Sequence, residues 1–197
     1  MKTRTFKNWL FCLLIPLLAT VSGAAPAAPE PSLLTPKEAT FLQTAFQSGT
    51  DKVKLADLGV SKTGDAAVKD AARQLMLDHQ KLNGEMMALA TAKKVEVTDA
   101  ATAEVTKLME ELNKKEGREF DRAFIEAMLQ WHLKDVKLFD AAGPQAMDEQ
   151  VKLLITNVTP ILKEFATKLA MLQGAPGPGG ASIGKAGAVK SGPAVKP

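Results

Sequence analysis

Apolar residues recur at helical spacing over most of the chain between residues 35 and 173. Within each run they repeat at intervals of three and four residues, which places their side chains on one face of a helix. The runs cover residues 36–63, 66–92, 99–115, 118–142 and 148–172. Four of them are long, and the short third run connects two of the long ones. We therefore predict an all-α protein, an antiparallel four-helix bundle with one short extra connecting helix.

Short motifs mark several of the predicted helix ends. The sequence Thr35-Pro36-Lys37-Glu38 is that of a capping box, in which the threonine caps the helix and the glutamate bonds back to it. Gly64-Asp65 ends the first helix and caps the second, and Gly143-Pro144 ends the fourth. Pro160 lies inside the last helix, where we expect a kink. The predicted apolar stripe of the first helix consists of Phe46, Gly49, Val53, Ala56 and Val60.

The two histidines of the chain both fall on apolar stripes. His79 lies on the stripe of the second predicted helix, and His132 lies on that of the fourth. An imidazole in such a position needs a hydrogen-bond partner, a metal ion or a water-lined cavity inside the fold. Asp135 follows His132 by about one helical turn and can lie near it, whereas Asp78 directly precedes His79 and is turned off its face.

These residues leave two interpretations open. His79, His132 and Asp135 would make a sparse metal site for zinc, copper or iron. Alternatively, the histidines are buried and hydrogen-bond each other, a backbone carbonyl or an acid, with no cofactor. A di-iron carboxylate site requires Glu-x-x-His motifs, and neither histidine stands in one.

The first 24 residues read as a secretory signal peptide. Lys2, Arg4 and Lys7 precede an apolar run from residue 9 to 19, and the small residues 21–25 follow it. The run is far shorter than the roughly 20 residues of a membrane-spanning helix. Cys12 would leave with the signal, so the predicted mature chain has no thiol. We predict that the protein is periplasmic or otherwise exported.

The two ends of the predicted mature chain differ from its centre in composition. Residues 25–34 form a predicted linker, residues 35–173 the bundle, and residues 174–197 a Gly/Pro-rich tail that we predict to be disordered. The chain carries 25 basic and 22 acidic residues, and three of the basic ones belong to the signal. This balance gives no basic face for nucleic acid. The three tail lysines permit only a weak contact with an anionic envelope surface.

Sequence motifs for catalysis are missing. The chain has no glycine-rich phosphate loop, no Gly-x-Ser-x-Gly motif and no cysteine in the predicted mature part. Ser48 and Ser61 have no base and acid at a spacing that indicates a hydrolase. We therefore expect that the protein is not an enzyme.

Several short segments together resemble a known family. They are Phe41-Leu42 with Ala45, Met76-Leu77-Asp78-His79, Glu119-Phe120-Asp121-Arg122-Ala123-Phe124 leading to His132, and Thr159-Pro160-Ile161-Leu162. Over residues 36–172 the chain is similar to the bacterial exported family catalogued as domain of unknown function 4142. The resemblance implies a ferritin-like four-helix bundle in the cell envelope, and the family has no agreed activity. Its members usually have Glu-Val where this chain has Lys52-Val53, and a third histidine where it has Phe165. Both differences remove potential metal ligands.

Two functions follow as hypotheses. The first is an exported, non-catalytic binding or interaction protein, acting in envelope maintenance or stress through a partner that the sequence does not identify. The alternative is a metal-binding or redox bundle that uses His79 and His132. A third hypothesis treats the two histidines as a pH sensor whose protonation loosens the bundle.

Overall fold

The computed structural model describes residues 34–174, and the predicted signal peptide and nearly all of the predicted tail lie outside this range. The helices are α1 (Pro36–Lys62), α2 (Ala66–Ala92), α3 (Ala103–Asn113), α4 (Gly117–Ala142) and α5 (Glu149–Gly174). A single 3-10 turn, Gly143–Gln145, joins α4 to α5, and no strand is present between residues 34 and 174. The predicted all-α architecture of four long helices and one short helix is confirmed.

Local interactions form most of the predicted helix ends. Thr35 Oγ1 accepts a hydrogen bond from the Glu38 backbone N–H, and the Glu38 carboxylate accepts one from the Thr35 N–H, which completes the capping box. The Asp65 carboxylate caps α2 by accepting from the N–H groups of Ala67 and Val68. These bonds satisfy backbone donors that a helix leaves without internal partners.

Most helix boundaries lie within two residues of the sequence prediction, and the following differences affect the fold. α3 begins at Ala103, because Thr102 caps it through a bond to the Val105 N–H, and not near residue 99. α5 extends to Gly174, so the first residue of the predicted tail belongs to the helix; Pro160 lies inside α5, and the kink expected there stays a prediction. Leu34, the last residue of the predicted linker, packs against the core.

The helices pack as two hairpins. α1 packs mainly against α2, and α4 packs mainly against α5, while α1 also meets α4 and α2 also meets α5. The short α3 touches α1 and α4. Across residues 34–174, none of the helices has the length and apolar character needed to cross a membrane.

Two apolar clusters make up the core, and a polar layer lies between them along the helices. The first cluster includes Leu55, Leu75, Phe120, Phe124, Met128 and Phe165. The second includes Phe41, Phe46, Leu82, Phe139, Val151 and Ile155. Between these positions α1 contributes Lys52, α2 contributes His79 and α4 contributes His132, all at most 2% exposed. The candidate site is therefore built into the middle of the bundle.

Candidate functional site

The two histidines meet in the core. His79 Nε2 lies 3.0 Å from His132 Nε2, and His132 Nδ1 lies 2.7 Å from the Met128 carbonyl oxygen. Because a carbonyl only accepts hydrogen bonds, Nδ1 of His132 carries a proton and donates it to Met128. In the neutral state His132 Nε2 is then the acceptor, and His79 Nε2–H is the donor. The structure thus brings together the two imidazoles that the sequence placed on separate helices.

Both imidazoles are held in the neutral form. Burial lowers the pKa of His132 from its ordinary value of 6.5 to about 4, and the nearby Lys52 ammonium acts in the same direction. Burial, Lys52 and the partner histidine lower the pKa of His79 well below 6.5. Protonating either ring would place a second cation beside Lys52 in the core.

Lys52 is the buried cation of the site. Its side chain is fully buried and forms an ion pair with Asp135 of α4. Its Nζ also donates to Ser48 Oγ at 2.7 Å and to the Ser48 carbonyl oxygen at 3.2 Å. Burial lowers the pKa of Lys52, while the Asp135 carboxylate opposes that shift. Ser48, Lys52, His79, His132 and Asp135 together form what we call the central polar cluster.

The other predicted site residues lie at different distances from the histidine pair. The Asp135 carboxylate bonds to Lys52 and to Ser48 Oγ, the latter at 2.7 Å. Within residues 34–174, no three histidine, cysteine, aspartate or glutamate side chains lie where they could hold one metal ion. Asp78 accepts from Gln74 Nε2 at 2.7 Å on the exposed side of α2, away from the pair.

Phe165 covers the histidine pair from α5. Its ring centroid lies 6.0 Å from that of His79 and 5.7 Å from that of His132. Since Phe165 is 6% exposed and belongs to the first apolar cluster, it separates the two imidazoles from the surface on that side. Among the four long helices of residues 34–174, α5 places an apolar residue at the level of the histidine pair, whereas α1, α2 and α4 place polar residues there.

The participation of Lys52 was missed by the sequence prediction. The predicted stripe of α1 ran through Val53 and Val60, both of which are only half-buried in the structure. The buried face instead includes Leu42, Ala45, Gly49, Lys52 and Ala56, and every interval between these is three or four residues. A lysine at such spacing among apolar and small residues was the available signal, and the four-residue step from Ser48 to Lys52 was a second one.

Ser48 has both a cation and an acid beside it in the structure, which the sequence spacing around Ser48 did not indicate. Lys52 and Asp135 both hydrogen-bond to its hydroxyl group. However, its proton goes to Asp135 and its oxygen accepts from the Lys52 ammonium. An activated serine needs an oxygen free to attack and a neutral base beside it. Ser48 is bonded as a bridge between two charges, which does not fit a nucleophile.

A groove reaches the edge of the central polar cluster. This loop groove, of about 550 Å³, lies between α1, α4 and the segment 94–102, and Ser48, Trp131 and Asp135 are among its lining residues. The segment is fastened to α1, because Gln43 donates to the Glu96 carbonyl at 3.0 Å and Gln47 donates to the Ala100 carbonyl at 2.8 Å. Neither histidine lines the loop groove.

A second groove lies at the end of the bundle. This end groove, of about 420 Å³, is formed by the beginning of α1, the end of α4 and the beginning of α5. Buried Phe41, Val151 and Ile155 line it together with the half-buried Leu138. Lys37 is exposed at its rim, with Nζ 3.4 Å from Gln145 Oε1. The end groove is apolar where the central polar cluster is charged.

Comparisons with known proteins give a family and a fold. The family model described as "Domain of unknown function (DUF4142)" matches residues 23–172. No curated protein matches the chain. The fold is similar to the crystal structure of a DUF305 fragment from Deinococcus radiodurans, with a TM-score of 0.65 and 15% identity over 73% of this chain and 99% of that one. It is also similar to a putative spore coat protein from Bacillus halodurans C-125, with a TM-score of 0.60 and 15% identity over 74% and 91% of the two chains.

Proposed function

The chain belongs to the family described as domain of unknown function (DUF4142), and from this premise we propose that it is an exported, non-catalytic binding protein. The end groove is the proposed ligand site. Support for export comes from the pattern of the first 24 residues, and support for a non-catalytic role comes from the closed bonding of the central polar cluster.

The end groove is the observation that carries the proposal. It is open to the surface, and its volume of about 420 Å³ falls in the range of small-molecule sites. Phe41, Leu138 and Ile155 present apolar surface there. A ligand that covers this surface gains about 25 cal/mol for each Å² removed from water.

The central polar cluster supports a non-catalytic role because its groups are bonded to one another. Lys52 bonds to Asp135 and Ser48, while His79 bonds to His132. Only Ser48 and Asp135 of the cluster line the loop groove. A substrate arriving there would meet a hydroxyl group and a carboxylate that are already occupied.

Binding of a neutral fluorescent hydrophobic probe, N-phenyl-1-naphthylamine, to residues 25–197 tests the proposed site. We expect saturable binding with one site per chain. Leu138→Trp should abolish it, because the larger side chain fills the groove. Since Leu138 also lines the loop groove, Ala141→Trp, at a residue that lines the end groove and not the loop groove, should abolish it as well. Leu153→Trp is the matched control, since Leu153 is 60% exposed on α5 and lies outside the groove. Absence of binding, or equal binding by the groove variants and by Leu153→Trp, would overturn the proposal.

Export has its own test. The full-length chain, expressed in a bacterium with an outer membrane, should appear in the periplasmic fraction. Its mass should be that of a chain that begins at residue 24 or 25. Replacing Leu13 and Leu14 by arginine should block processing, because the apolar run is then interrupted. Cytoplasmic recovery of the uncleaved wild-type chain would contradict export.

Metal binding that uses His79 and His132 is a second candidate function. One observation favours it: the two Nε2 atoms face each other 3.0 Å apart. The adjacent Lys52 ammonium opposes it, because it repels a cation as it repels a proton from the rings. Stoichiometric zinc or copper in residues 25–197 that is lost in both His79→Ala and His132→Ala would establish this function. If the wild-type chain binds no zinc or copper, metal binding is excluded as its function. Phe165→His, which adds a third imidazole beside the pair, is the positive control for the measurement.

A further inference from the structure

We infer that the end groove binds a medium-chain monocarboxylic acid, with the carboxylate at the Lys37 side chain and the apolar body along Phe41, Leu138 and Ile155. This inference rests on the proposed function and adds the chemical class of the ligand. It depends on which polar groups at the groove are already bonded and which are not.

Glu38 lines the groove but has no capacity left for a ligand. One of its carboxylate oxygens accepts from the Thr35 N–H and hydroxyl group, at 3.0 and 2.7 Å. The other accepts from the N–H groups of Met147 and Asp148, at 2.7 and 2.8 Å. A carboxylate offers about four acceptor positions, and all four are used here. These bonds keep the pKa of Glu38 low, at about 2. Glu38 is thus not available to recognise an ammonium or a hydroxyl group.

The two threonines of the groove are also occupied as donors. Thr40 Oγ1 donates to the Pro36 carbonyl oxygen at 2.9 Å, and Thr44 Oγ1 donates to the Thr40 carbonyl oxygen at 2.8 Å. Their hydroxyl protons are therefore already used in hydrogen bonds to backbone carbonyl oxygens of α1. A sugar or another ligand with many hydroxyl groups would lose its bonds to water without finding equivalent bonds in this groove.

Lys37 is the charged group at the groove that remains available. Its Nζ has a long contact of 3.4 Å with the neutral Gln145 side chain. In the part of the chain that the structure describes, no carboxylate lies within 4 Å of this ammonium, so it can pair with an anionic ligand without first breaking an ion pair. Because the Glu38 charge is already stabilised by four donors, the exposed Lys37 ammonium over the apolar floor is complementary to one anion on an apolar body. The exposed position of Lys37 also lets the carboxylate remain partly hydrated.

The experiment compares decanoate with decanol, which has the same chain length and no charge. Isothermal titration calorimetry is carried out on residues 25–197 below the concentration at which decanoate forms micelles. We expect decanoate to bind at least fivefold more tightly than decanol. Lys37→Gln should bring the two affinities together. Leu138→Trp should abolish both, and so should Ala141→Trp, which changes the end groove and not the loop groove. Lys81→Gln is the matched control, because Lys81 is an exposed lysine on α2, which does not line the groove.

The outcomes separate the inference from the proposed function. If decanol binds as tightly as decanoate, and Lys37→Gln changes neither affinity, the groove is a ligand site without selectivity for acids and the inference is overturned. If neither compound binds and N-phenyl-1-naphthylamine does not bind either, the proposed function fails as well. A similar loss of decanoate affinity in Lys81→Gln would show a nonspecific effect of charge, which also overturns the inference.

Discussion

The central polar cluster and the end groove both contain side chains from α1 and α4, but the charged groups are paired with each other in the cluster and not in the groove. In the cluster, Lys52 and Asp135 are paired with each other inside the core, and the imidazoles are bonded ring to ring. In the groove, buried apolar side chains form the floor and half-buried Leu138 lines it with them, while the Lys37 ammonium has no carboxylate within 4 Å among residues 34–174. Where the charged and polar side chains are bonded to one another, as in the cluster, a ligand finds no free partner. Where a charged side chain lacks an ion-pair partner at an open apolar surface, as in the groove, ligand binding is favoured.

The comparison also concerns what each region does for the fold. A buried ion pair contributes little net stability, because removing two charges from water costs about as much as their attraction returns. It does restrict how helices can be aligned, since Lys52 must meet Asp135 and His79 must meet His132 at one level. We infer that the cluster mainly sets the relative positions of α1, α2 and α4, while the groove has no such role.

The largest expected effect comes from breaking the ion pair. Lys52→Ala leaves the Asp135 carboxylate buried without its counter-ion, and we expect the free energy of unfolding to fall by about 3–5 kcal/mol. Chemical denaturation of residues 25–197 measures this change. The matched control is Lys134→Ala, which removes an exposed lysine of α4 whose bridge to Glu104 lies on the surface.

A double variant shows whether the loss comes from the unpaired charge. Lys52→Met combined with Asp135→Leu removes both charges and keeps similar volume, so most of the lost stability should return. If the single variant Lys52→Ala changes stability by no more than Lys134→Ala does, the pair is not buried as described and the cluster is not a closed unit.

The next effect is a loss of stability in acid. The pKa of each histidine is lower in the folded protein than its ordinary value of 6.5, so the unfolded chain binds more protons below that pH. The contribution of the histidines is complete above pH 6.5 and is lost as the pH falls from 6.5 toward the folded-state value of about 4 for His132. We expect the free energy of unfolding to decrease by about 2 kcal/mol from His132 alone, and by up to about 4 kcal/mol from both histidines, between pH 7.5 and pH 5.

The variant with both His79→Gln and His132→Gln provides the control for acid. Glutamine does not titrate, so the variant should lose most of the pH dependence between 7.5 and 5 even where its stability at pH 7.5 is lower. Glu38, with a pKa of about 2 and an ordinary value of 4.5, contributes only at lower pH. An unchanged slope in this variant would mean that the histidines are not the groups being protonated.

A smaller effect is expected from the aromatic cover of the pair. Phe165→Leu keeps an apolar side chain of similar size but loses ring contacts with both imidazoles, and should cost about 1 kcal/mol of stability. Phe139→Leu is the matched change in the second apolar cluster, where Phe139 packs against the ring of Phe41 at 5.0 Å. Only Phe165→Leu should also change the acid dependence. If both variants alter it equally, Phe165 does not shield the histidines.

The sequence predicted those features that depend on neighbours in the chain. The capping box at Thr35 and the Asp65 cap are set by side chains that bond within three residues, and the five helices follow from local periodicity. The approach of His79 to His132 was foreseen as one alternative, because each lay on an apolar stripe. The ferritin-like relationship implied by the resemblance stays a prediction, as do export and the disordered tail.

What the sequence did not reveal depends on contacts between distant residues. Val53 is a natural choice for an apolar stripe, and only the position of Asp135, 83 residues after Lys52, explains how a lysine can take the buried place instead. The same carboxylate was predicted to lie beside His132 as a metal ligand, but a spacing of one turn does not say which of two neighbours it will bond. The end groove could not be predicted from the sequence, because it is formed by the ends of three helices that are far apart in the chain.

The smallest expected effect on stability is at the groove itself. Leu138→Trp changes a half-buried side chain at an open surface, so the free energy of unfolding should stay within about 0.5 kcal/mol of the wild type. Binding of the hydrophobic probe should nevertheless be lost, because the indole occupies the space of the ligand. Denaturation and probe titration on the same sample measure both quantities. A loss of stability comparable to that of Phe165→Leu would show that the wall of the groove is part of the packed core, and the contrast between a closed cluster and an open groove would then not hold.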